Sequence, residues 1–318
     1  MARARLAAVA ALLAVLVLAP PSGAASATGE QRVLIILGTS GAQPYSVADV
    51  QSVARSAAEF YRTSSFSKLD LHFDVTPWLK AFTSDPGCGF TSQSTLDQLM
   101  LPARLAAQRA GYAPAGYPRL VYIIADSHCA FYGTTYGQEV TLTRAPNLEL
   151  LLHELGHSFG LGHSRASRCV EGCNVADPGD PFSPMGTGDK LVDFSAYEKV
   201  VLGWLPPQPH VTKAGLYTIV PSSRASGGAH AIVVDREAVQ WWIEYNAKPF
   251  RGLLVRYVDV RHPVPPFADA PVLIVDPVHR GRDWVALGET YRSAKYFTVR
   301  LVRAGAAHAQ VRLRFVGS

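Results

Sequence analysis

The sequence predicts an α+β fold in two parts, a twisted mixed sheet with helices followed by an antiparallel β-sandwich. Three features predict it. From Arg32 to about Trp204, apolar runs of strand length are interleaved with amphipathic helical stretches. A proline-rich join, Leu205-Pro206-Pro207-Gln208-Pro209, follows. Beyond it come short alternating runs separated by turns. The 318 residues therefore divide into 1–27, expected to be removed on export, 28–205, the α+β part, and 206–318, the sandwich.

Residues 32–38 (RVLIILG) form a continuous apolar run, the pattern of a buried strand. Ser46 with Asp49 makes a capping box, and Val47, Val50, Val53, Ala57, Phe60 and Tyr61 follow at helical spacing. Residues 69–75 alternate, as a half-buried strand does. Ser94 with Asp97 opens a helix toward Ala110 that Pro102 should kink or shorten. Residues 120–125 (LVYIIA) read as a central strand, 138–143 as an edge strand and 148–159 as a helix. Ser195 with Glu198 is a second capping box, before Gly203-Trp204. In the second part, runs at 216–220, 231–234, 239–245, 252–260, 272–275, 297–302 and 310–315 supply the sandwich strands. Trp241 and Trp242 are adjacent in an alternating run, so at least one should be buried.

Arg3 and Arg5 precede the apolar residues 6–18, then Pro20-Pro21 and small residues ending in Ala25-Ser26-Ala27, the pattern of a cleavable export signal. The apolar stretch would span about 20 Å as a helix, short of the ~30 Å bilayer core. The mature chain is thus expected to be secreted without a stable membrane anchor. Loss of Arg3 and Arg5 lowers the formal charge from +5 to +3, and there is no basic run, so no nucleic-acid partner is expected. In an oxidising compartment Cys88, Cys129, Cys169 and Cys173 should form disulfides. Of three possible pairings, Cys169–Cys173 with Cys88–Cys129 is favoured, because the first pair shares one glycine-containing loop.

The chemistry lies in the run from His153 to His163 (HELGHSFGLGH). On a helix His153 and His157 are one turn apart and share a face. Glu154 is placed to hold a water rather than to ligate. Gly160 can take positive φ, end the helix and bring His163 back as a third nitrogen. Three neutral imidazoles and a water make an open tetrahedral zinc site of the catalytic type. With 10 His and 26 Gly in the chain, these five positions arise by chance at about 2 × 10⁻⁵, against about 1% for H-E-x-x-H alone. The extended form therefore carries the reading.

On these residues the sequence resembles the metzincin zinc peptidases. The resemblance implies a methionine turn beneath the metal, and Ser183-Pro184-Met185-Gly186 matches it 22 residues after His163. The stretch 179–186 (GDPFSPMG) with Leu202-Gly203-Trp204 is most similar to the gametolysin group. Immune-inhibitor-A-like peptidases are next nearest, sharing the texture from Phe60-Tyr61 to Trp78, but usually carry Asp where this chain has His163. The likeness is specific over about 147–205 and looser back to Val33. Thr187 stands where astacin-like relatives place a tyrosine ligand, so no such ligand is expected.

What the resemblance implies is a metzincin-like catalytic domain that binds one Zn2+ on His153, His157 and His163. Its activity would be endopeptidase action on protein or peptide, with Glu154 as general base and Met185 as the turn methionine. Two other readings fit the same residues: a secreted binding protein that keeps the zinc scaffold without catalysis, and a zinc amidohydrolase acting on non-peptide amides. Residues 138–143, as an edge strand, are a candidate for pairing with extended substrate. Asp177, Asp180 and Asp189 crowd the loop after His163 and are candidate ligands for a structural Ca2+.

Overall fold

A computed structural model of the chain describes residues 27–87, 93–125, 129, 131–170, 172–225, 227–260 and 271–316. The expected export segment up to Ser26, and Cys88, lie outside the described residues.

The first part is built on β1 (Gly29–Thr39), β2 (Leu69–Lys80), β3 (Arg119–Ile124), β4 (Gly133–Tyr136) and β5 (Glu139–Leu142), in the order β2-β1-β3-β5-β4. Neighbours from β2 to β5 are parallel, and β4 runs antiparallel on β5. The sheet is mixed, as expected. Residues 33–37 of β1 are fully buried because helices cover both faces. On one face lies α1 (Val47–Ser64), whose capping box of Ser46 and Asp49 is formed in both directions. It packs Val50, Ala54, Ala57 and Tyr61 against Val33, Ile35 and Leu37. On the other lies α2 (Gln93–Arg109), with Leu99, Ala103 and Ala107 against Leu34, Ile36 and Tyr122. This helix continues through Pro102, because buried residues on both sides of the proline hold it to the sheet.

The edge strand is displaced from its expected place. β5 lies between β3 and β4, so residues 133–136 form the edge instead of 138–143. Gly133-Thr134-Thr135-Tyr136 has no apolar alternation to mark it as a strand.

Two further sheets follow. One joins β6 (Arg165–Ser167), β7 (Val175–Ala176), β9 (Ala231–Arg236), β10 (Val239–Asn246), β11 (Gly252–Asp259) and β12 (Val272–Ile274) in the order β7-β6-β12-β11-β10-β9, with β13 (Val285–Ala286) also on β11. The other is antiparallel, β14-β15-β16-β8, from β14 (Thr290–Arg292), β15 (Phe297–Ala304), β16 (Ala309–Phe315) and β8 (Gly215–Ile219). Residues of both sheets, among them Ile243, Val255, Phe297, Val299 and Val311, share one apolar cluster. The larger sheet departs from the all-antiparallel expectation: β6 pairs with β12 in parallel, 107 residues away along the chain. Its hydrogen bonding thus draws on residues from both sides of Leu205.

Trp241 and Trp242 are both buried, at 2% and 4% exposure. Trp241 faces the smaller sheet. Trp242 faces Ala196 and Leu205 and meets Tyr197 of α4 (Ala196–Val201) edge-on at 5.2 Å. β10 is covered on both faces, so alternation does not expose either ring. Cys169 and Cys173 are bonded to each other. Cys129 is also disulfide-bonded, its partner lying outside the described residues. Among the described residues no helix is long and apolar enough to cross a membrane.

Candidate metal centre

Helix α3 (Leu148–Ser158) positions the first two histidines. Asn147 caps it, its side-chain oxygen accepting from the Leu150 N–H at 2.7 Å. Leu151, Leu152 and Leu155 bury one face with α1, and the Tyr61 hydroxyl donates to the Leu152 carbonyl at 2.8 Å. At the other end the buried Arg119 donates from Nε to Ser158 Oγ at 3.1 Å, placing a cation at the helix C-terminus. Gly160 adopts φ 92°, with its N–H on the His157 carbonyl at 2.8 Å and the Leu161 N–H on the Gly156 carbonyl at 3.1 Å. This is a Schellman ending, and it returns the chain so that His163 comes back over the helix face.

The ring nitrogens of His153, His157 and His163 lie within 4.8 Å of one another, and the Nε2 atoms of His153 and His157 are 3.1 Å apart. Tetrahedral zinc with bonds of about 2.0–2.1 Å requires nitrogens about 3.4 Å apart, so the set fits a metal with little adjustment. Each Nδ1 is held from behind. His153 donates to the Pro184 carbonyl at 2.9 Å, His157 to the Leu161 carbonyl at 2.8 Å, and His163 to Asp177 Oδ1 at 2.6 Å. Every Nε2 is thereby turned toward the shared point. Burial lowers His153 to about 4 and His157 to about 3, keeping both neutral at physiological pH.

Glu154 is 5% exposed and lies beside β4. The Thr135 hydroxyl is 2.7 Å from Glu154 Oε2 and 2.9 Å from its backbone carbonyl. Burial pushes the Glu154 carboxyl up to about 7, with the Thr135 hydrogen bond acting in the opposite sense. Gly133 makes this placement possible, since a Cβ there would stand 2.7 Å from Glu154 Oε1. Met185 is fully buried beneath α3, where a Cβ on Gly156 would come within 2.2 Å of its sulfur. The site opens into a cavity of about 500 Å³ lined by Tyr132, Gly133, Leu150, Pro184, Thr187 and Leu191 together with His153 and Glu154. A larger cavity, about 680 Å³, opens beside Trp241 and Tyr257. Among the described residues it holds no group of His, Cys or carboxylate atoms able to share an ion.

The five residues expected from the sequence, His153, Glu154, His157, His163 and Met185, thus come together. The aspartates after His163 do not. Asp177 binds His163 and stands 2.9 Å from Arg165 Nε, and Asp180 is buried against Arg256. Among the described residues these aspartates do not gather into a group of three whose oxygens could share an ion. Gly133, Thr135 and Asp177 in its actual role carried no signal in the sequence, since none belongs to a spaced motif; Pro184 lies in the methionine-turn match, but its carbonyl's bond to His153 could not be read there.

No family model matches the chain, and no curated protein matches it. Similar solved structures include catalytically inactive OgpA from Akkermansia muciniphila in complex with an O-glycopeptide substrate, glycodrosocin. It is 11% identical, with 80% of this chain and 82% of that one covered and a TM-score of 0.34. Wild-type OgpA is 10% identical, with 94% and 96% covered and a TM-score of 0.33. A likeness this distant leaves function to the geometry of the site.

Proposed function

We propose that the chain is a secreted zinc-dependent endopeptidase of metzincin type, most similar to the gametolysin group, with residues 28–205 as catalytic domain and 206–318 as a C-terminal sandwich. The observation that carries this reading is the convergence of three imidazoles with a buried carboxylate beside a cavity and a strand edge. His153, His157 and His163 would hold zinc. The ion would supply a Lewis acid for the scissile carbonyl and bring the pKa of water toward about 7.

Glu154 Oε2 is engaged by Thr135, which leaves Oε1 to take the proton of the attacking water and deliver it to the leaving amine. Strand β4 offers a backbone edge on which an extended chain can add as a further strand, running past the cavity, with Tyr132 and Tyr136 exposed at its ends. That edge favours a peptide over a small non-peptide amide, which has no backbone to pair.

The test is hydrolysis of a denatured protein by the purified mature chain. Cleavage should stop with a strong chelator and return with zinc. Equal cleavage after complete metal removal would sink the proposal.

A further inference from the structure

We infer that the C-terminal sheet completes the metal site, with Arg256 of β11 as a positioning residue that holds, through Asp180, the loop orienting His163 and His153. The inference rests on the metal-site reading above.

The loop after β7 runs from Asp177 to Thr187 and supplies both the Asp177 carboxylate behind His163 and the Pro184 carbonyl behind His153. It is wound around Asp180, which is fully buried. Asp180 Oδ1 accepts from the Phe182 N–H at 2.9 Å, and its backbone carbonyl accepts from the Thr187 N–H at 3.0 Å. Gly186 lies against it so closely that a Cβ there would fall 1.8 Å from the Asp180 carbonyl oxygen. Ser164, the residue after His163, is bound into the same winding. Its N–H donates to the Met185 carbonyl at 2.7 Å, its hydroxyl to Asp180 Oδ2 at 3.0 Å, and its carbonyl accepts from the Gly179 and Asp180 N–H groups.

Asp180 Oδ2 also takes the guanidinium of Arg256, with Nε at 2.9 Å and Nη2 at 2.8 Å. Arg256 is 1% exposed and projects from β11, a strand that lies beyond the proline-rich join. Its far side stands 3.1 Å from Glu244 Oε1 without hydrogen-bond alignment, so its aligned grip is on Asp180. The same sheet takes hold of His163 from the other direction. β6 begins two residues after it and pairs with β12, with the Arg165 N–H on the Pro271 carbonyl at 2.9 Å.

Removing the guanidinium leaves Asp180, and Glu244 on its far side, buried without their shared counter-charge, the costly way to break a buried pair. The loop relieves this by opening, which carries Asp177 and Pro184 away from their histidines. Outer-shell partners of metal ligands are typically worth about 10–100-fold in metal affinity.

The experiment uses the full mature chain, stripped of metal and reloaded with Co2+. Affinity is read by competition with a chromophoric chelator, geometry by the visible cobalt spectrum, and folding by circular dichroism of the apo protein. Arg256→Met is expected to remain folded at low temperature, to bind metal about 10–100-fold more weakly and to show an altered cobalt spectrum. Arg256→Lys keeps the charge but replaces two nitrogens on one oxygen with a single donor, and is expected to fall between. A purely structural role would lower apo stability and leave the affinity and spectrum of the folded protein unchanged. If Arg256→Met does not fold, Arg256→Lys decides. Parental affinity and spectrum in a folded variant overturn the inference. Failure of the parent itself to bind metal overturns instead the metal-site reading on which it rests.

Discussion

Gly133→Ala should disable the base without touching a ligand. The added Cβ would stand 2.7 Å from Oε1, 2.8 Å from Cγ and 2.9 Å from Cδ of Glu154. Carbon contacts settle at about 3.5–4.0 Å, so the side chain must retreat by roughly 0.7–1 Å. Oε2 is tied to Thr135 at 2.7 Å and the residue is 5% exposed, so the retreat displaces the carboxylate from its working position. A misplacement of about 1 Å costs on the order of 10² in rate, or about 2.7 kcal/mol of barrier. The assay is steady-state cleavage of a fluorogenic peptide with metal content measured on the same preparation. We expect kcat to fall about 10²-fold with KM nearly unchanged and metal retained. Parental kcat, or a rise in KM alone, would contradict this, the latter by placing the clash on substrate instead of Glu154.

His157→Ala should remove metal and activity together, as seen by metal analysis beside the cleavage assay, because two remaining imidazoles hold zinc poorly. Gly156→Ala forces a carbon within 2.2 Å of the Met185 sulfur and should cost about 1–3 kcal/mol of stability, read by urea unfolding. Burial pushes the Glu198 carboxyl up to about 7, above its unfolded value of about 4.3. The protonated form is thus favoured by folding, so its contribution is complete below about pH 4.3 and lost as pH rises through about 7, at up to about 1.4 kcal/mol per unit. Urea unfolding of the metal-free chain between pH 5 and 8 should show the parent losing stability relative to Glu198→Gln; a gain with pH would contradict this sign.

The metal ligands were legible because their geometry is local. Helical periodicity aligns His153 with His157, and a glycine at 160 permits the turn that returns His163, all within eleven residues. Helix caps at Ser46 and Ser195 were legible for the same reason. What supports the ligands was not. Thr135 reaches Glu154 from a four-residue strand with no apolar pattern, and Asp177 reads in the sequence as one acid among several in a polar loop. The pairing of β6 with β12 and the contact of Asp180 with Arg256 join segments 107 and 76 residues apart. Periodicity reports the face a residue presents, not its distant partner, so the dependence of the site on the C-terminal sheet becomes visible only in three dimensions.

The most direct test of the account measures zinc stoichiometry and turnover on one preparation each of the parent and Glu154→Ala. One zinc is expected in both, with turnover of the variant lower by about 10²–10⁴, the usual contribution of a general base. Loss of zinc from Glu154→Ala, or parental turnover in a variant that retains it, would contradict the division between three histidines that hold the metal and one carboxylate that moves the proton.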